Sequence, residues 1–401
     1  MTRTEERLID ALGAVGRSVR QEALPPLPAR SPATGPSRWG RWLAPLAAAA
    51  SVVLIVVVVS AVHPFSGPGR HRQAVATPRY YATVEQGGIV IRATATGTVT
   101  GKVPNERPGH GGFGRYASSV AAVDGGREFF AAFSGTTASF VDKTWLYSFH
   151  LTSAGRVTGL AVVRGGVFRG LLAGNAMAVS PDGSKVALTL FRQPNPKSVG
   201  NPAEIGVLDL ATGTRALWLG GLRHSGLIVR IPSVSWSADG RSLVFVSLWC
   251  SYGAVGSQYC APEAGYGQVR TLRLTPGGGR LSQGSVLLAD SRSYPHIIQV
   301  RSGPRGKSLI VVVLSARTVG MVNPEPLALR VIQIPLAGGR LAGGRPRLLY
   351  RGAVDGVPNV FLGSDASGRF LLLAWAQNGW IDHGRLRLLP PQGGVAFGDT
   401  W

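Results

Sequence analysis

From Tyr80 onward the chain alternates short apolar runs with tight polar turns. AVSPDGSKVALTL, starting at Ala178, and VSWSADGRSLVFVS, starting at Val234, share one layout: an apolar run, a Ser-x-Asp-Gly turn and a second apolar run. Asp-Gly between two hydrophobic segments predicts a β-hairpin, because the turn needs residues that tolerate positive φ. Aligned on the turn glycine, related stretches lie at Gly126 (VDGGREFFAAF), Gly183, Gly240, Gly306 (GPRGKSLIVVVLS) and Gly368 (DASGRFLLLAW), spaced by 57, 57, 66 and 62 residues. A second pattern follows each hairpin. TWLYSFHLTSAGRV, EIGVLDLATGTRALW, QVRTLRLTPGGGRL, ALRVIQIPLAGGRL and GRLRLLPPQGG each read as a strand followed by a glycine turn.

One unit is therefore strand a, tight turn, strand b, variable loop, strand c, Gly turn, strand d. Four antiparallel strands repeated radially make a β-propeller blade. Ahead of the first hairpin, YYATV, IVIRATATGTV and TGKV predict an incomplete blade. GVAFGDTW at the far end predicts the strand that completes it and fastens the ring. The arithmetic gives an all-β propeller of six blades over residues 80–401, with five and seven as alternatives. A linear solenoid would leave a strand edge unpaired, which closure avoids.

The residues before the propeller follow a different pattern. In TRTEERLIDALGAVGRSV, Leu8, Leu12, Val15 and Val19 recur at helical spacing, which predicts a short amphipathic helix within a tail of residues 1–41. WLAPLAAAASVVLIVVVVSAV, Trp42–Val62, is 21 residues without a charge. At about 1.5 Å per residue it matches the hydrocarbon core of a bilayer, and it exceeds the usual apolar run of a cleaved signal peptide. An uncleaved signal anchor is expected, then a Pro/Gly-containing spacer over 63–79.

Composition adds a compartment and excludes some partners. The net charge of +22 rests on arginine, with only five lysines, and the arginines are scattered through Gly-rich turns. No basic helix or zinc-finger spacing accompanies them, which argues against nucleic acid and for attraction to an anionic envelope. The only cysteines, Cys250 and Cys260, lie close enough in sequence to close a small loop as a disulfide; two free thiols are the alternative. The expected arrangement is a single-pass protein with a cytoplasmic N-terminus and an extracytoplasmic propeller.

SPDGSKVAL and WSADGRSLVF resemble the TolB-like (WD40-like, PD40) propeller repeat, and the whole layout is similar to actinobacterial single-pass membrane proteins carrying such a propeller. The resemblance implies a binding or interaction platform and supplies no catalytic residue. Gly306 and Gly368 depart from the Asp-Gly pattern.

In such a blade the b–c loops share one rim, and here they are long and individual. Elaborated loops on a rigid scaffold are where function concentrates. The richest is LWCSYGAVGSQYCAPEAGYG, whose Trp249, Tyr252, Tyr259 and Tyr266, with Trp380 from another loop, are the candidate binding residues. Asp182, Gly183, Asp239, Gly240, Gly306 and Gly368 are assigned to turns. Asp382-His383 is the one loop pair suited to acid–base work. No nucleophile elbow, zinc motif or phosphate loop is present in the sequence, so no catalytic residue, metal or cofactor is assigned. The expected function is non-enzymatic recognition of a protein, peptide or anionic envelope polymer. Two rivals are a propeller hydrolase or lyase acting in the central channel, and a transmembrane regulator resembling anti-sigma proteins that works through residues 1–41.

Overall fold

The computed structural model describes residues 78–86, 88–105, 114–123, 126–137, 141–192, 203–220, 227–251, 266–291, 293–315, 327–354, 361–364, 371–374, 379–382, 385–388 and 399–400. All fall in the unit Ala74–Trp401. The expected tail helix and the Trp42–Val62 span lie outside the described residues. Among the described residues no helix is long and apolar enough to cross a membrane.

The described strands form six sheets. The first contains β1 (Tyr80–Glu85), β2 (Gly88–Ala93) and β3 (Val99–Pro104). The second contains β4 (Tyr116–Ala122), β5 (Glu128–Thr136), β6 (Asp142–Leu151) and β7 (Val157–Arg169). The third is built from β8 (Leu172–Val179), β9 (Lys185–Phe191), β10 (Ala203–Asp209) and β11 (Arg215–Leu219). In the fourth, β12 (Leu227–Trp236), β13 (Ser242–Ser251) and β14 (Tyr266–Arg273) are followed by β15 (Gly278–Arg280), which leaves the sheet, and then β16 (Ser285–Ala289). The fifth has β17 (Ile297–Ser302), β18 (Ser308–Ser315), β19 (Leu327–Ala337), the two-residue β20 (Arg340–Leu341) and β21 (Arg347–Val354). The sixth has β22 (Phe361–Ser364), β23 (Leu371–Ala374), β24 (Gly379–Asp382) and β25 (Arg385–Leu388), and β26 (Asp399–Thr400) then returns to the first sheet.

Within each sheet successive strands pair antiparallel. Strands β4, β8, β12, β17 and β22 neighbour one another in that order; β26 then lies against both β22 and β4. This circular order makes the fold an all-β propeller with antiparallel blades. Its closing strand is β26, which pairs with β1 through Ala82↔Thr400 and Thr83↔Asp399.

The core lies between blades. Phe129, Phe133 and Phe149 pack with Ile89 and Ile91 of the preceding sheet. Ala132 and Leu146 meet Leu188 and Leu190; Ile205 and Trp218 meet Trp236 and Phe245. Val246 and Val269 then meet Val300 and Val311, and Val312 and Leu329 meet Leu362 and Ile381. A central strand is thus covered on both faces, which is why β5 reads as the continuous run FFAAF instead of alternating. Each large side chain buried this way stabilises by about 1.5–3 kcal/mol.

The aligned glycines share one conformation, although in the last of these turns Arg305, ahead of Gly306, is also left-handed at φ 56°. Gly126, Gly183, Gly240 and Gly306 have φ of 63°, 71°, 66° and 66°. Each donates its N–H to the carbonyl three residues back, at Val123, Ser180, Ser237 and Gly303. The positive φ falls on the glycine; Asp182 and Asp239 act through their carboxylates instead. Asp182 accepts the hydroxyl of Ser180 at 2.6 Å and the N–H of Ser184 at 3.1 Å, and Asp239 does the same with Ser237 and Arg241 at 2.6 and 3.1 Å. Gly368 lies outside the described residues.

One expected turn is corrected. TPGGGRL reads as a plain c–d turn, yet Gly278–Arg280 reaches back to the preceding blade and pairs parallel with Leu217–Leu219 of β11. Glycine permits this approach: a Cβ on Gly278 would lie 2.0 Å from the Leu217 carbonyl oxygen. The following Leu281 is fully buried in the same inter-blade core as Trp218.

Candidate functional site

The described part of the expected rim is the root of its loops. Trp249, near the end of β13, stands directly opposite Tyr266 at the start of β14, so the 252–265 loop springs from between two aromatic positions. Trp249 is half-buried, and its indole N–H is buried without a hydrogen-bond partner among the described residues. Trp380 is half-buried at the same end of a different blade, where β24 pairs it with Leu372 and Arg387. The structure therefore joins Trp249 with Tyr266 and separates Trp380 from them. Tyr252, Tyr259 and Cys260 lie outside the described residues, as does the Cys250 side chain, so the expected disulfide is outside them too. Asp382 pairs by backbone with Arg385, and His383 is outside the described residues.

Two rim features were missed by sequence reasoning. Arg115, just ahead of β4, lies 4.9 Å over the Trp145 ring and 5.9 Å from that of Tyr147, whose hydroxyl accepts its Nη1–H. Tyr147 in turn meets Phe133 edge-to-face at 5.4 Å. The alternation of TWLYSF placed Trp145 and Tyr147 on one face; nothing in the sequence brought Arg115 to them. The second feature is Asp290, whose carboxylate accepts the N–H groups of Gly267 at 2.7 Å and Ile297 at 2.9 Å and so clamps the start of β14 to the next blade. Burial raises its pKa, opposed by those two N–H groups and by nearby His296.

Along the axis, the first strand of four of the described blades carries a bulge. The register shifts between Ala117 and Ser119, Ala173 and Met177, Arg230 and Ser233, and Ile297 and Gln299. A bulge turns a side chain away from its regular alternation. Small hydroxyl residues on the partner strands absorb the freed backbone groups. Thr189 Oγ1 donates to the Ala176 carbonyl at 3.2 Å, while the Ala176 N–H points back to it at 3.3 Å. Ser134 accepts the hydroxyl of Ser118 at 3.1 Å and the Ala173 N–H of the next blade at 2.8 Å. These polar interruptions of apolar runs (FFAAFS, VALTL) were visible in the sequence, at similar distances from the turn glycine, and went unread.

The bulged strands border a depression that is open to solvent. Asn175, Ala176 and Met177 line it from β8, Pro232, Ser233 and Val234 from β12, and Gln299 and Arg301 from β17; Val120 and Leu362 complete it. Its one charged lining residue is Arg301. Nε of Arg301 donates to the Leu362 carbonyl at 2.8 Å, which ties β17 to β22, and burial lowers the guanidinium pKa to about 10. Among the described residues no group of three or more His, Cys, Asp or Glu side chains is placed to hold a metal ion.

No family model and no curated protein matches the chain. Solved structures do align with it. Hydrazine synthase from Kuenenia stuttgartiensis is 15% identical, with 74% of this chain and 71% of that chain covered, at a TM-score of 0.39. The Dos1 propeller is 10% identical over 79% and 82%, at 0.36. A parainfluenza virus 5 hemagglutinin-neuraminidase ectodomain is 10% identical over 88% of each chain, at 0.42. Likeness this distant carries no functional argument; the propeller rests on the strand order and ring closure described above.

Proposed function

We propose that the protein is a non-enzymatic recognition platform, a TolB-like propeller held at the outer face of a membrane by Trp42–Val62, which binds a protein, peptide or anionic envelope polymer through its loop rim. The observation that supports this reading is the register that sets Trp249 opposite Tyr266 at the root of the longest b–c loop. Paired aromatic positions on a rigid strand end offer large contact area at little entropic cost, the usual basis of binding hot spots. The Arg115, Trp145 and Tyr147 stack adds a cation and two rings at the same end of another blade. An excess of arginine over acidic residues favours an anionic partner.

The test is crosslinking in intact cells together with cosedimentation of the purified full chain with isolated envelope polymer. Trp249→Ala is expected to weaken capture at least about tenfold, in line with a central aromatic anchor, while thermal unfolding shows the ring intact. Capture that survives Trp249→Ala but disappears on removal of residues 1–41 would move recognition to the cytoplasmic side and favour the regulator reading.

A further inference from the structure

The central depression holds a cation that no acidic group among the described residues neutralises. Nε of Arg301 is engaged by the Leu362 carbonyl, which fixes the plane of the guanidinium. Neither Nη atom has a hydrogen-bond partner or an acidic neighbour among the described residues, and the half-buried side chain lines the depression. Two residues earlier on the same strand, Gln299 faces the same depression. Its amide nitrogen donates to the Pro232 carbonyl at 3.1 Å, so the amide is oriented and Oε1 is left as an unengaged acceptor. Across from them Asn175 is exposed on the bulge of β8, and its amide makes no hydrogen bond among the described residues. Gly174 allows that bulge, since a Cβ there would lie 2.5 Å from Thr189 Oγ1.

We infer that this depression is a receptor for a small hydroxy-carboxylate, with the carboxylate on the two Nη groups of Arg301 and the hydroxyl on Gln299 Oε1 or Asn175. A guanidinium with its Nε already occupied presents a flat pair of N–H groups, which matches a planar carboxylate bidentately. One cation balances one negative charge. A doubly charged phosphate would leave one charge uncompensated beside the half-buried guanidinium. The unengaged acceptor adds a preference that a bare anion site lacks, because it rewards a ligand hydroxyl next to the carboxylate. The site lies on the axis and involves none of the rim aromatics, so it stands or falls independently of the rim reading.

The experiment is isothermal titration of the purified full chain with sodium lactate, sodium propionate, inorganic phosphate and sodium chloride at equal ionic strength. Lactate is expected to saturate, with propionate several-fold weaker and chloride giving no saturable heat. Arg301→Gln is expected to weaken lactate at least about tenfold, the scale of a charge-assisted hydrogen bond. Asn175→Asp is expected to do the same by adding a negative charge while leaving an exposed, unbonded position folded, and Arg345→Gln at an exposed site is expected to change nothing. No saturation by lactate, an unchanged affinity in Arg301→Gln and Asn175→Asp, or phosphate binding as tightly as lactate would each overturn the assignment.

Discussion

Ser233 Oγ donates to the Val300 carbonyl at 2.8 Å and receives the Val300 N–H at 3.1 Å, so one hydroxyl on β12 pairs with both backbone groups of a residue in the next blade. Ser235 repeats the pattern in part, accepting the Ser302 N–H at 3.1 Å. Two adjacent inner strands too far apart to form a regular ladder are thus stitched by serine side chains.

Ser233→Ala removes the stitch and leaves two buried backbone groups without partners, because Val300 is fully buried. The expected cost is about 1–3 kcal/mol, the penalty for orphaned buried polar groups. Urea unfolding should show a lower midpoint with an unchanged slope.

Ser134 is a comparable hub one blade pair away, holding Ser118 and the Ala173 N–H while lying 3.4 Å from Thr144 Oγ1. Ser134→Ala is expected to cost a similar amount. Combined with Ser233→Ala the losses should add within about 0.5 kcal/mol, because the two sites share no partner. A double-mutant cycle by denaturant melts checks both numbers.

Glycines of the two kinds of turn should respond differently to a methyl group. At Gly183 the nearest atom to an added Cβ is Val123 Cγ1 at 3.5 Å, so only the left-handed backbone resists, and Gly183→Ala should cost about 1–2 kcal/mol. At Gly278 the Cβ would collide with the Leu217 carbonyl oxygen, so β15 must leave β11 and Leu281 loses its anchor. Thermal unfolding should rank Gly278→Ala as the more damaging, and amide exchange at Leu217–Leu219 should quicken in that variant alone.

Asp182 gives the acid limb of stability a defined origin. The Ser180 hydroxyl, then the N–H and hydroxyl of Ser184, lower its pKa to about 2, with Lys185 adding a smaller attraction. An unfolded aspartate titrates near about 3.9. The folded state therefore binds fewer protons between these values; the stabilisation is complete above about pH 4 and is lost as pH falls through about 2. Asp182→Asn should flatten that part of the stability–pH curve, read from melts in a pH series.

The turn geometry was legible because φ near +65° admits few residues other than glycine, and that constraint survives in Gly306 after the preceding aspartate has gone. The closing strand was legible from the need to pair the edge of β1. The parallel excursion of β15 was not, since PGGGR satisfies a simple turn equally well and only the position of β11 distinguishes the two. Arg301 was one of many scattered arginines. Its place on the axis depends on β17 being innermost and on a bulge two residues earlier, and neither property belongs to a single strand. The rim was half legible: a common end of the blades could be inferred for Trp249 and Trp380, but cross-strand register decided which aromatic faces which.

The join between β1 and β26 also sets a timetable. Ala82 and Thr400 pair across most of the length of the chain, so the first sheet emerges from the ribosome with its inner edge bare and keeps it bare until Asp399 and Thr400 arrive. At about 5–20 residues per second that wait is on the order of tens of seconds. During it the apolar strand YYATVE presents unpaired backbone to any other strand nearby. Newly made chains therefore pass through a period of greatest susceptibility to mispairing, and it ends only with the last two paired residues.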